Sequence, residues 1–529
     1  MRSGAYQYSG KPRHSNRKYL IILPVILLIA GFAAYSQFFA ASPEEKAIEQ
    51  LQFDTSLTES EKQTIRNAIQ TQSKTYDGIL TAKISSSLDA AKISSVLQAY
   101  VPVTNVYAPR QEITKSELAK ETIYIPADTE ELVRSAIAES LGSNLNKLLP
   151  LPGKLDNLTR SQIALVPADQ ISSKIKLLHL DKNYYLDSFS KGAIFRQALF
   201  EGESSTVLDD LKLNNLSNQD NVAKINMTGV TALTRLMMRK LSTVEDAKHF
   251  SAKIGDFLSD ADITHISNEV SFKENCAYSR VLFCSPPEMI ETLKDSGVDL
   301  VELTGNHNND LGSTYNTESI KLYQSLGWKT VGGGLNEVEA AKPYASEVKG
   351  NKITFIAYNM ADGANSGAIA KTTTAGANLY TETKATRDIK AAKDNAEFVI
   401  VNIQYAECQA YPVGYVEFPQ CDGTIGGQQA AFQKMIDLGA DMVVGSSAHQ
   451  PQTYELYKGK PIYYGLGNMY FEQIQWPGTE RGIILTHYFN GNKLLQTKLT
   501  PTVYDREFQP QVTSNDEAVY LLGRLDAAR

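Results

Sequence analysis

The chain has 529 residues, four cysteines and a formal net charge of −7. That length implies two or three domains, and the acidic balance provides no basic surface, so nucleic acid is excluded as an expected partner.

The first predicted element is a membrane anchor. Tyr19 to Pro43 carries no charge, and Leu20 to Phe32 is almost wholly aliphatic. Arg2, Lys11, Arg13, Arg17 and Lys18 precede this run without an acid, and Glu44 and Glu45 follow it. The asymmetry predicts a cytoplasmic tail over 1–18, a single span over 19–41 in contact with membrane lipid, and everything beyond on the outer side. A cleaved signal peptide ending at Ala34-Tyr35-Ser36 is the alternative.

Residues 42–75 have helical spacing (Ala47, Ile48, Leu51, then Ile65, Ala68 and Ile69) and predict a helical stalk. Over 76–222, short apolar runs such as Thr122 to Pro126 alternate with helical patterns such as Thr129 to Ser140. A small α/β accessory domain is expected there, without a chemical motif. From 223 to 510 the rhythm is clearer. Apolar strands (Ala223 to Thr228, Ile263 to Ser267, Leu300 to Thr304, Ile353 to Tyr358, Phe398 to Ile403, Met442 to Val444, Ile462 to Leu466) end in polar or glycine-rich turns. Helical patterns lie between several of them, so a layered α/β domain is expected, followed by a tail over 511–529. In such folds the polar residues at strand ends form the site.

Five strand-end clusters carry candidate chemistry. The run from Gly305 through Asn306, His307, Asn308, Asn309 and Asp310 offers an amide for a metal, a histidine for proton transfer and a carboxylate to orient it. A polar turn capping the next helix is the plain alternative. Asn268-Glu269 offers a carboxylate ligand or base with an amide beside it, while His265, inside the strand, is expected to be a satisfied core or surface histidine. Ser447, His449 and Gln450 offer a ring nitrogen and polar neighbours for an anionic ligand. Gln404 and Glu407, and Asn468 after Tyr464 to Gly467, complete the set. The Gly332-Gly333-Gly334 run lacks the lysine and Ser/Thr of a phosphate loop and predicts a strand-end turn. Cys276, Cys284, Cys408 and Cys421 show no C-x-x-C spacing; in an oxidising compartment Cys276–Cys284 and Cys408–Cys421 are the favoured disulfides, and thiol–metal ligation is the alternative.

Taken in order, Gly305 to Asp310, Gly439 to Gly445 with His449 and Pro451, and Lys458 to Asn468 resemble the bacterial CapA, or poly-γ-glutamate synthesis, family. The resemblance covers about 223–475 and implies a calcineurin-like metallophosphoesterase fold. It implies Glu269, Asn306 and His449 as metal ligands, His307 as proton donor and Asp310 as its partner; Glu407, or a nearby acid such as Asp256, is the expected helper. Asn268, Gln404, Ser447, Gln450 and Asn468, polar residues of the strand-end clusters, are the expected substrate contacts. Three positions depart from the family pattern. Val230 stands where an aspartate is usual, Gln404-Tyr405-Ala406-Glu407-Cys408 replaces a His-Trp-Gly-x-Glu motif, and Ser447 stands where a second histidine is usual. What is retained implies one divalent ion, zinc or manganese, or none.

The expected function is a membrane-anchored protein of capsule or envelope-polymer production, with an anionic polymer and membrane polymer-synthesis proteins as partners. It acts as a metal-dependent hydrolase or transferase, or else as a scaffold that keeps the fold without the chemistry. A solute receptor using 76–222 is the third possibility.

Overall fold

The computed structural model describes residues 51–72, 82–87, 96–202, 213, 219–395, 398–405, 426–473 and 475–529. The expected span over 19–41 lies outside them, as do Glu407, Cys408 and Cys421. Among the described residues no helix is long and apolar enough to cross a membrane. The chain divides into two compact units, residues 1–86 with 198–213, and residues 87–197 with 214–529.

In the first unit the stretch expected to be a continuous helical stalk contains a strand. Leu51–Phe53 pairs in parallel with Ala82–Ser87, and the helix is confined to Glu59–Gln72. The break has a local cause. Asp54 accepts the Ser56 N–H in a turn, and Thr58 and Glu61 then exchange backbone and side-chain hydrogen bonds as a capping box, starting the helix afresh. Ile65 and Ile69, one turn apart, are fully buried.

The second unit opens with mixed strands around Val96–Asn105, which pairs antiparallel with Ile163–Pro167; Ile123–Ile125 joins that strand in parallel, and Leu148–Pro150 lies beside it. The helix Glu131–Leu141 buries Val133, Ile137, Ala138 and Leu141, one face at helical spacing, and ends at Gly142 in a left-handed C-cap (φ 60°).

Two further sheets form a sandwich. In the first, β1 (Ala223–Thr231), β2 (Ile263–Asn268) and β3 (Leu300–Glu302) run parallel, with Lys329–Val331 at one edge. In the second, β4 (Asn351–Asn359), β5 (Phe398–Gln404) and β6 (Met442–Ser446) are parallel neighbours. β7 (Arg481–Asn490) returns antiparallel to β1. Alternate residues explain the layering. Ala223, Ile225 and Met227 of β1 and Ile353, Phe355 and Ala357 of β4 share one core between the sheets. The opposite faces, such as Ile266 and Val301 in one sheet and Val399, Val401 and Ile403 in the other, meet helices.

α1 (Arg235–Leu241) follows β1, α2 (Ser313–Ser325) follows the Gly305 to Asp310 turn, and α3 (Asn515–Ala527) ends the chain. The stretch set apart as a tail is thus partly structural: Leu521, Leu522 and Leu525 of α3 enter the intersheet core. Close backbone approach accounts for the glycine run near 332. A methyl on Gly332 would strike Thr304 and Ala357, and one on Gly334 would strike the Ala340 and Glu339 backbone.

The core also holds His487, fully buried on β7 with its Nδ1 2.8 Å from the Thr497 hydroxyl. Burial, and then the charge of nearby His265, push its pKa down to about 3. The unfolded value is about 6.5, so between these limits the unfolded chain binds the extra proton and folding stability falls as pH drops. Urea midpoints are therefore expected to decline from pH 7 to pH 4 more steeply in the parent than in His487→Gln; equal slopes would refute the assignment.

Candidate functional site

The carboxyl ends of the parallel strands from both sheets converge. Glu269 follows β2, Asn306 to Asp310 follow β3, Gln404 ends β5, and Ser446 ends β6. The two sheets are stitched at this edge by polar side chains. Asn359 donates to the Thr304 carbonyl (2.9 Å), and Gln404 Nε2 donates to Glu269 Oε1 (3.1 Å) and to Asn306 Oδ1 (3.4 Å). Gly305 makes the approach possible, because a Cβ there would lie 2.7 Å from the Glu269 Cα.

Beneath this cluster lies a buried carboxylate that the sequence reading passed over. Glu302 is completely buried on β3. Its Oε2 accepts from Asn402 Nδ2 (3.1 Å) and lies 3.3 Å from His265 Nε2, while Oε1 receives the Thr304 hydroxyl and lies 2.9 Å from the Ser446 hydroxyl. The same Ser446 oxygen is 3.1 Å from Gln404 Oε1. A chain of contacts therefore runs from His265 through Glu302, Ser446 and Gln404 to Glu269 and Asn306. The signal was present in the sequence: an acid inside the otherwise apolar strand that leads into the polar turn.

His307 and Asp310 meet as a pair. His307 Nδ1 is 2.8 Å from Asp310 Oδ2, which also accepts the Phe283 N–H at 2.8 Å. A carboxylate at Nδ1 places the proton there and leaves Nε2 as the reacting nitrogen. The Phe283 ring packs against His307 with centroids 4.6 Å apart. Phe283 is held in place by the expected Cys276–Cys284 disulfide next to it, with Cα atoms 5.9 Å apart.

His449 sits against the other side of the same aromatic wall. Its ring is 5.1 Å from Phe471, and Phe471 is 6.1 Å from Phe283. Its Nδ1 lies 2.8 Å from Asn468 Oδ1; Asn468 Nδ2 donates to the Thr479 carbonyl (3.0 Å), which fixes the amide orientation. His449 consequently donates from Nδ1 and keeps its lone pair on Nε2.

Other expected contacts hold the scaffold. Asn268 donates to the Val270 carbonyl (2.7 Å) and Tyr323 hydroxyl (2.8 Å), and Gln450 to the Pro477 carbonyl (2.9 Å). Asn308 and Asn309 bracket neighbouring loops through the Asn268, Gly367 and Ala375 carbonyls. Ser447 adopts a left-handed backbone (φ 77°), and it is Ser446 that reaches Gln404. Asp256 is exposed on the short helix Gly255–Ser259, whose end contacts Thr264 at the amino end of β2, opposite to Glu269.

Whether these residues suit a metal is decided by their chemistry. Among the described residues, no three of His, Cys, Asp and Glu are grouped so that they could hold a metal ion. Val230 is buried with Ala232, Val270, Phe283 and Phe471 in an apolar cluster that offers no ligand. A two-ion centre does not fit this set. Glu269 and Asn306 turn their oxygens toward one positively polarised group, the Gln404 amide N–H₂, and the bond to Asn468 puts the Nδ1 proton of His449 on the side away from Nε2.

The fold and site thus define a mixed α/β protein with a polar strand-end cluster. Residues 224–473, which span these clusters, match the family model of the bacterial capsule synthesis protein PGA_cap. It is 27% identical to the capsule biosynthesis protein CapA of Bacillus anthracis over 210 residues, 39% of this chain and 47% of that protein. It is 24% identical to the PGA biosynthesis protein CapA of Bacillus subtilis over 245 residues, 46% of this chain and 61% of that protein. The chain spans about half the length of these relatives. Among solved structures, the NAD nucleotidase of Haemophilus influenzae overlaps 58% of this chain and 56% of its own, at 11% identity and a TM-score of 0.28.

Proposed function

We propose that this protein acts in capsule or poly-γ-glutamate production, anchored by residues 19–41 on the outer side of the membrane beside companion polymer-synthesis proteins. The two-sheet domain is read as metallophosphoesterase-like, and its strand-end cluster as the site where an amide or phosphoester bond of an anionic polymer is cleaved or transferred. The observation that carries this reading is the His307–Asp310 pair at 2.8 Å, oriented by the Phe283 N–H beside Glu269 and Asn306. In the reaction, His307 Nε2 gives its proton to the departing group, and Asp310 holds the ring and stabilises its charged form.

One divalent ion, zinc or manganese, held by Glu269, Asn306 and His449, would act as a Lewis acid at this site. The purified full chain is expected to carry about one equivalent by elemental mass spectrometry, with Glu269→Ala and His449→Ala each losing most of it. An unchanged content in both variants would remove the ligand set. Co-sedimentation with γ-linked glutamate polymer tests the wider reading, and no binding above that of a neutral polysaccharide would count against it.

A second reading is supported by Val230. An apolar cluster where the family has an aspartate favours a polymer-binding scaffold that keeps the fold without the reaction.

A further inference from the structure

Arg235 is the first residue of α1, four positions beyond the end of β1 at Thr231, and its backbone is left-handed (φ 54°), a conformation that costs a non-glycine residue and persists only where its surroundings impose it. Its guanidinium carbon lies 5.9 Å from the centre of the Phe283 ring and 5.8 Å from that of Phe471. Those two rings are the ones that touch His307 and His449. A permanent positive charge is therefore built into the aromatic wall that joins the two histidines.

Its counter-ion does not saturate it. Glu472, fully buried, lies 3.7 Å from Arg235 Nε, beyond hydrogen-bond reach, and spends its Oε1 on the Leu236 N–H at 2.7 Å. Arg235 Nε is buried without a hydrogen-bond partner among the described residues, although the side chain as a whole is 12% exposed. A buried guanidinium N–H without a partner is costly, and an oxyanion drawn to the charge would satisfy it. The flanking rings exclude water and strengthen that attraction.

We infer that Arg235 is the group that binds an oxyanion of the substrate, a carboxylate or a phosphate, beside the reacting histidine. The inference rests on reading the strand-end cluster as the reacting site, and it makes Arg235 a determinant of specificity for anionic over neutral polymers. Lysine cannot substitute fully, because it lacks the planar fork that matches two oxygens.

The test is calorimetric titration of the full chain at low salt with inorganic phosphate and, separately, with glutarate. The parent is expected to bind at least one of the two, and which one distinguishes a phosphate from a carboxylate ligand. Arg235→Gln should weaken binding at least tenfold, Arg235→Lys should lie between, and Glu472→Gln should tighten it by removing the competing charge. A purely structural ion pair would instead make Glu472→Gln as weak as Arg235→Gln, and that result overturns the inference. So does absence of binding by the parent to either probe, or parent-like binding by Arg235→Gln. Where Arg235→Gln fails to fold, the Arg235→Lys and Glu472→Gln pair, moving in opposite directions, decides. Small-oxyanion binding with no binding of γ-linked glutamate polymer would leave this inference standing and remove the polymer reading.

Discussion

Glu302→Ala is expected to destabilise the protein by about 3–5 kcal/mol, the range for breaking a buried charged network by removing one partner. The carboxylate is fully buried and is the common acceptor for Asn402, Thr304 and Ser446, with His265 at 3.3 Å. Alanine would leave those groups without their acceptor in a medium where water cannot replace it. Denaturant unfolding monitored by circular dichroism measures the change. A loss below about 1 kcal/mol, typical of an exposed pair, would show that Glu302 does not organise the strand ends as described. The variant should also release Gln404, because Ser446 loses the anchor that keeps its hydroxyl beside the glutamine carbonyl.

His307→Ala is expected to lower polymer cleavage or transfer by about 10²–10⁴-fold, the usual contribution of a positioned general acid or base. Folding should be nearly unaffected, since the side chain is 27% exposed and lies in a loop. Asp310→Asn provides the internal control. It keeps the shape but removes the charge that orients Nδ1, so it should retain more activity than His307→Ala while shifting the pH profile. Product lengths of γ-linked glutamate polymer, read by gel filtration for parent and variants, give the answer. Activity equal to the parent in His307→Ala would eliminate His307 as the proton donor and leave the scaffold reading ahead.

The strands of the sandwich were legible because each is an apolar run closed by a polar or glycine turn, and burial on both faces produces that pattern in parallel sheets. Their ends extend one or more residues beyond the apolar run at several places, as in β5, where Gln404 continues the strand. The His307–Asp310 pair was legible because both members lie within one loop, three residues apart. What spacing does not encode is which distant loops face each other. Phe283, Arg235 and Phe471 come from three separate segments, and their meeting around the two histidines depends on tertiary packing. For the same reason, spacing does not show that Asn268 and Gln450 also bracket neighbouring loops. In the first unit, the helical spacing around Leu51 was overridden by pairing with Ala82, a partner some thirty residues away that periodicity cannot see.

The placement of α3 sets a condition on how the molecule is made. Leu521, Leu522 and Leu525 complete a core whose other walls come from strands starting near residue 223. A growing chain presents its earlier segments first, so the sandwich stays open along one side of its core until residues 521–525 have been synthesised. Until then, that apolar surface is available to chaperones, proteases or other nascent chains, and this thirteen-residue helix is what covers it.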